Sequence, residues 1–185
     1  MLRIGYQGDV GSNAEAASNE FVVRRDMREV ELVPLIGSQA VVEALAAHRV
    51  DLGVVACRNS IAGLVNETHA AVAQGRVERL DEVSIPIHHC MFVHPEASRT
   101  GLETVASHVQ ALMQTRRTRA RLYPQLAELE VPDTAIAARW LCDGRLPRSA
   151  AVLCRRNAGE LYGLSLVREN LEDEPGNHTD FMLLR

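Results

Sequence analysis

Apolar and polar positions along this chain fall into two alternating periods. Residues 2–6 (LRIGY) are a short apolar run that ends in glycines, which predicts a buried strand turning into a helix. The alanine-rich stretch 13–21 predicts that helix. Residues 30–34 form a second predicted strand, closed by Pro34. Ser38 is then placed to cap an amphipathic helix in which Val41, Val42, Leu45 and Ala46 recur at helical spacing. The run 51–56 (DLGVVA) has the continuous apolar character of a parallel strand covered on both faces. A β-α-β-α-β series results, and such alternation predicts an α/β sheet.

The pattern restarts in the second half. Residues 84–93 read as one long strand interrupted by Pro86. A brief strand at 105–106 leads to Ser107, placed to cap a helix that starts near Val109. Residues 127–131 form another strand; Thr134 caps a helix over 135–142, and Gly144 stops it. A strand over 150–154, a short helix over 157–161 and a last strand over 181–184 complete the series. Two similar series predict two lobes with a cleft between them. The first comprises 1–84 with 166–185, the second 85–165. The chain crosses near Ile85, returns over 166–171, and the last strand rejoins the first lobe.

Composition narrows the chemistry. The 185 residues carry a net charge of −4, which argues against a nucleic-acid binder that neutralises phosphates. All 20 basic residues are arginine. Without lysine there is no Schiff base, no lysine-anchored pyridoxal phosphate and no P-loop, so cationic recognition falls to guanidinium groups. The cysteines, Cys57, Cys90, Cys142 and Cys154, lie far apart and read as reduced thiols. His88 and His89 are adjacent; on a strand they point to opposite faces, which argues against a shared metal. The first residues read as a strand, not a signal peptide, and no apolar run is long enough to span a bilayer. These features predict a cytoplasmic protein with no membrane partner.

Several polar groups fall at strand ends, where open sheets bind ligands. Gly5-x-x-Gly8-x-x-Gly11 lacks the spacing of the dinucleotide fingerprint. It serves either as a plain turn or, with Ser12, as a helix start that binds a carboxylate. Arg58-Asn59-Ser60 follows the third strand, where Asn59 and Ser60 act as ligand donors or as ordinary caps. Ser107 with Gln114, and Thr134, sit at two further strand-to-helix junctions with the same two alternatives. The segment 177–181 (NHTDF) is a polar turn or part of a site.

Taken in order, these stretches resemble the catalytic domain of the prephenate dehydratase family. The matching pieces are Tyr6-Gln7-Gly8 with Gly11-Ser12, Val33-Pro34-Leu35, Val50-Asp51-Leu52-Gly53-Val54 and Asn59-Ser60-Ile61-Ala62-Gly63. They continue with Ile85-Pro86-Ile87-His88-His89-Cys90, Ser107-His108 with Gln110-Ala111-Leu112, and Asp133-Thr134-Ala135 with Ala137-Ala138. Leu161-Tyr162-Gly163-Leu164 follows, and Asn177-x-Thr179-x-Phe181 stands where the family carries threonine-arginine-phenylalanine. One match is weak; together, in register, they are specific.

The resemblance implies the two-lobed fold of type II periplasmic binding proteins, with the site in the cleft. It implies a cytoplasmic lyase of phenylalanine biosynthesis that acts on a dicarboxylate, without metal or cofactor, as a homodimer. Prephenate would lose carbon dioxide and hydroxide to give phenylpyruvate, and arogenate would give phenylalanine. Thr179 would donate a hydrogen bond to the departing oxygen. Asn59, Ser60, Ser12, Ser107, Gln114 and Thr134, with helix N-termini, would hold the acid and keto groups. The regulatory phenylalanine-binding domain of many members is not expected here.

Two positions depart from the family. Arg58 stands where glutamate is usual, and Asp180 where arginine is usual. Both changes reverse charge, so the expectation is a swapped ion pair that modulates the site. The swap leaves open a non-aromatising prephenate decarboxylase, an altered-specificity homologue, or a non-catalytic module that binds small acids.

Overall fold

The structure is a computed structural model that describes residues 1–98 and 101–185. It divides into two compact units, Met1–Ile87 with Asn177–Arg185, and His88–Gly176. The first unit runs β1 (Leu2–Gln7), α1 (Asn13–Arg24), β2 (Val30–Leu35), α2 (Ser38–Ala46), β3 (Leu52–Asn59), β4 (Gly63–Leu64), α3 (Asn66–Gly75) and β5 (Arg79–Pro86). The second contains β6 (Cys90–Val93), β7 (Thr104–Ser107), α4 (Val109–Gln114), α5 (Arg116–Leu122), β8 (Ala127–Glu130), α6 (Thr134–Cys142), β9 (Ala150–Cys154), α7 (Arg156–Leu161) and β10 (Ser165–Arg168). The chain then returns to the first unit as β11 (His178–Leu184).

The first sheet has the order β2-β1-β3-β11-β5, with β4 against the end of β3. Strands β1, β2 and β3 are parallel, and β11 lies antiparallel between β3 and β5. The C-terminal strand is therefore interior, and its sequence shows why. Phe181 and Leu183 enter one core with Ile4, Tyr6, Phe21 and Val54. Met182 and Leu184 enter the other, with Val41, Leu45 and Val55. A strand covered on both faces needs apolar residues at consecutive positions, which FMLL supplies. Helix α2 lies close over β3 because Gly53 has no side chain. A Cβ there would stand 2.7 Å from a Val41 methyl and 2.8 Å from a Leu45 methyl.

The second sheet has the order β10-β6-β9-β7-β8. Strands β7, β8 and β9 are parallel, while β6 runs antiparallel to β9 and β10 antiparallel to β6. Its two faces pack Phe92, Val152 and Leu141 on one side and Met91, Leu153 and Leu112 on the other. Among the described residues no helix is long and apolar enough to cross a membrane.

Several sequence expectations shift. Pro34 does not end β2 but lies inside it, as an edge strand tolerates a residue without N–H. The single strand expected over 84–93 is two strands in different sheets. The chain leaves the first after Pro86, where Ile87 N donates to Asn177 O and His89 N to the Glu172 carboxylate. The return crossing, expected over 166–171, falls after Gly176, because β10 completes the second sheet beside β6. Helix α3 escaped the sequence reading because it buries only Thr68 and Ala71, too faint a stripe for a helical period.

Three expected caps are also reassigned. Gly37, not Ser38, precedes α2, and the Glu67 carboxylate accepts from Ser38 N at 2.9 Å. Ser107 ends β7, and the His108 ring nitrogen caps α4 by accepting from Gln110 N at 3.3 Å. Asp133, not Thr134, caps α6, its carboxylate accepting from Ala135 N at 2.8 Å and Ile136 N at 3.0 Å. In each case a neighbour with better reach to the free N–H groups displaced the hydroxyl.

Candidate functional site

In the first unit the polar groups converge at the carboxyl end of β3. Antiparallel register sets Thr179 opposite Asn59 and Asp180 opposite Arg58, residues some 120 positions apart in sequence. A bulge follows: Asp180 pairs Arg58 but Phe181 pairs Ala56, so Cys57 is the extra residue on β3. Bulges re-aim side chains at sites. Here the Cys57 thiol donates to Asp180 O at 3.2 Å. Burial, with the Glu82 charge beside it, pushes that thiol up to about 11, so it is no nucleophile at neutral pH.

Asn59 organises this end. Its side-chain oxygen accepts from Ile61 N at 3.0 Å and Ala62 N at 2.9 Å. Two N–H donors fix which end of the amide is oxygen. The Nδ2 group therefore faces the other way, toward Asn177 Oδ1 at 2.8 Å, Thr179 Oγ1 at 2.9 Å and His178 O at 3.0 Å. The Thr179 hydroxyl accepts from this amide, and among the described residues its own hydrogen has no acceptor. Ser60 joins the same strand start, its hydroxyl accepting from His178 N at 3.0 Å. Asn177, buried and absent from the expected site residues, immediately precedes β11 and stands two positions before Thr179, a spacing visible in the sequence.

Arg58 and Asp180 form the swapped ion pair. Arg58 Nε donates to Asp180 Oδ2 at 2.9 Å, and a terminal guanidinium nitrogen lies 2.9 Å from the same oxygen. Asp180 is nearly enclosed, whereas Arg58 is 61% exposed, so the charge in need of a partner is the carboxylate. Burial pushes the Asp180 carboxyl up; the hydrogen bond from Ser84 and the Arg58 bond and charge outweigh it, leaving the group below its ordinary value.

Ser12 is buried and caps α1, accepting from Glu15 N at 3.3 Å. The Glu15 carboxylate in turn accepts from Gly11 N at 2.7 Å. The helix start expected to receive a substrate carboxylate thus holds one from the chain itself. The same holds at α2, with Glu67, and at α5, where Asp173 accepts from Arg117 N at 2.8 Å and Thr118 N at 2.7 Å.

In the second unit Ser107 and Thr134 lie at two separate strand-to-helix junctions, and Gln114 lies where α4 gives way to α5. Ser107 is fully buried and donates to Leu153 O at 2.7 Å across the β7–β9 ladder. Thr134 is the first residue of α6, half-buried, and among the described residues its hydroxyl makes no hydrogen bond. Gln114 ends α4, and its Oε1 lies 2.9 Å from His89 Nε2. His89 is buried while His88 is exposed and pairs with Glu172 at 2.9 Å. The two rings have different partners and different burial, in a stretch that is a connection and not a strand.

The chain is similar to known proteins in sequence and in fold. The prephenate dehydratase family model matches residues 4–185. Arogenate dehydratase 5, chloroplastic, of Arabidopsis thaliana is 32% identical over 183 residues, covering 99% of this chain and 42% of the relative. The chain spans less than half the length of that curated relative. A prephenate dehydratase from Arthrobacter aurescens, solved with L-Phe, superposes with a TM-score of 0.85 at 23% identity, over 99% of this chain and 60% of that one. A protein described as a novel type of quorum quenching acylase matches at TM-score 0.75 and 25% identity, over 98% and 63%. A periplasmic substrate-binding protein from Coxiella burnetii matches at TM-score 0.56 and 17% identity, over 100% and 84%, so the fold is of the periplasmic-binding-protein kind.

Proposed function

This chain belongs to the prephenate dehydratase family, and we propose that it is itself a carbon–oxygen lyase acting on prephenate or arogenate. The substrate loses carbon dioxide from the ring and hydroxide from the far carbon, giving phenylpyruvate or phenylalanine. Aromatisation drives the reaction, so the protein has two tasks: to orient a dicarboxylate and to stabilise the charge that develops on the departing oxygen.

One observation carries the reading. The Asn59 amide, fixed by two backbone donors, makes the Thr179 hydroxyl an acceptor and so leaves its hydrogen for an outside oxygen. A hydroxyl polarised by a donated hydrogen bond is a better donor itself. Thr179 is thus the group that assists hydroxide departure. Asn59, Ser60, Gln114 and Thr134 contribute the neutral donors that hold acid and keto groups. Ser12 and Ser107, whose hydroxyls serve α1 and the β7–β9 ladder, support their neighbours. The Arg58–Asp180 pair tunes the field beside Thr179 without touching the reacting atoms. A cytoplasmic homodimer completes the reading, checked by fractionation and by sedimentation of the purified chain.

The test is incubation with prephenate and with arogenate, followed by product identification. Phenylpyruvate or phenylalanine is the expected outcome. A non-aromatic dihydro acid would make the chain a decarboxylase, and thermal stabilisation without product would make it a binding module.

A further inference from the structure

Strand β1 stops short of the end of β3. Its register with β3 runs as far as Tyr6 opposite Val54. The main chain then turns away at Gly8, with a φ of 122°, where Gly8 N donates to Leu35 O at 2.8 Å. Two residues further along β3, Ala56 N donates to the Gln7 side-chain oxygen at 3.1 Å. A side-chain amide therefore continues the ladder that the β1 backbone leaves.

That bond fixes the orientation of the Gln7 amide. A backbone N–H only donates, so the atom facing Ala56 N is the oxygen, and the NH2 group lies at the other corner. Gln7 is half-buried, and among the described residues neither amide hydrogen has an acceptor. Its place in the sheet matters too. Gln7, Asn59 and Thr179 stand on the neighbouring strands β1, β3 and β11, at the end where β1 and β3 finish. At the start of α1, which follows, the Gly11 and Glu15 N–H groups are already taken by the Glu15 and Ser12 side chains.

We propose that Gln7 is a further substrate-binding residue, whose amide hydrogens donate to a carboxylate oxygen of prephenate or arogenate. The proposal rests on the functional reading above and adds to it a ligand on β1. An amide held by its oxygen presents its donors before the acid arrives, so little freedom is lost on binding. The reacting oxygen falls to Thr179. The Gln7 contact is made alike to substrate and transition state, so its loss should appear in KM and spare kcat.

Two variants separate this role from the ladder bond. Gln7→Glu keeps an oxygen for Ala56 N but replaces the donors with a charge that repels an acid. Gln7→Leu removes both. Steady-state kinetics use whichever of the two acids the wild-type protein turns over. Gln7→Glu should raise KM about 10- to 100-fold, the scale of one hydrogen bond to a charged group. Its kcat should stay within about twofold of wild type, and its urea midpoint should not move. Gln7→Leu should raise KM as well and also lower the midpoint. A wild-type KM in Gln7→Glu would confine Gln7 to the ladder and overturn the proposal. A KM rise matched by a lowered midpoint in Gln7→Glu would do the same. Wild-type protein that neither turns over nor is stabilised by either acid would instead sink the functional reading, and this proposal with it.

Discussion

The two units bring polar groups to the carboxyl ends of their parallel strands by different means. In the first unit a strand ladder does the work: β11 beside β3 sets Thr179 against Asn59 and Asp180 against Arg58, and one amide ties the group together. In the second unit Ser107, Gln114 and Thr134 come from three junctions, and each is governed by its own local need. Ser107 secures a ladder, Gln114 Oε1 lies against His89 Nε2, and the Thr134 hydroxyl makes no hydrogen bond among the described residues. The contrast teaches that a ladder holds several side chains at one geometry together, whereas junction residues are set one at a time. On the proposed reading, the step that needs a fixed donor falls to the ladder and recognition to the junctions.

The largest effect should come from Thr179, whose hydroxyl hydrogen has no acceptor among the described residues. Thr179→Val keeps the shape and removes the hydroxyl, so kcat should fall roughly 100- to 1,000-fold, as when one transition-state donor is lost. Ligand-induced thermal stabilisation should survive; unchanged turnover would remove Thr179 from its role. Next comes the organiser. Asn59→Leu strips acceptors from Ile61 N and Ala62 N and the donor from Thr179 and Asn177, and should cost about 2–3 kcal/mol in urea unfolding, along with most activity. A loss under about 0.5 kcal/mol would show the cluster to be no unit.

The ion pair should matter less. Arg58→Met leaves an enclosed carboxylate short of its partner and should cost about 1–2 kcal/mol. The double change Arg58→Glu with Asp180→Arg, which restores the family's usual order, should recover stability relative to either single change. The pH dependence has a definite sign. The folded-state value of Asp180 lies below its ordinary 3.8, so its contribution is present above that pH and is lost as pH falls through the folded value. The acid limb of wild-type stability should therefore be steeper than that of Arg58→Met; equal slopes would deny the coupling. The smallest kinetic effect is expected at Ser107. Ser107→Ala should cost about 1 kcal/mol of stability and move KM less than twofold, whereas Thr134→Val should raise KM several-fold. The reverse ranking would erase the distinction between the two junctions.

Much of this was written in the chain. Apolar runs such as DLGVVA and FMLL fixed buried strands, because two covered faces demand consecutive apolar residues. The order of short polar motifs carried the family, and the two reversed charges predicted their own pairing at 2.9 Å. What the pattern did not reveal were the decisions made by neighbours distant in sequence. Glu67 rather than Ser38 serves the start of α2, Asn177 and Thr179 meet the Asn59 amide, and His89 lies 2.9 Å from Gln114. Local sequence determines which residues want a partner, since propensity and periodicity act over a few positions. Only the tertiary structure decides which partner each one gets, because a hydrogen bond depends on an approach within about 3 Å that strand register and helix packing create.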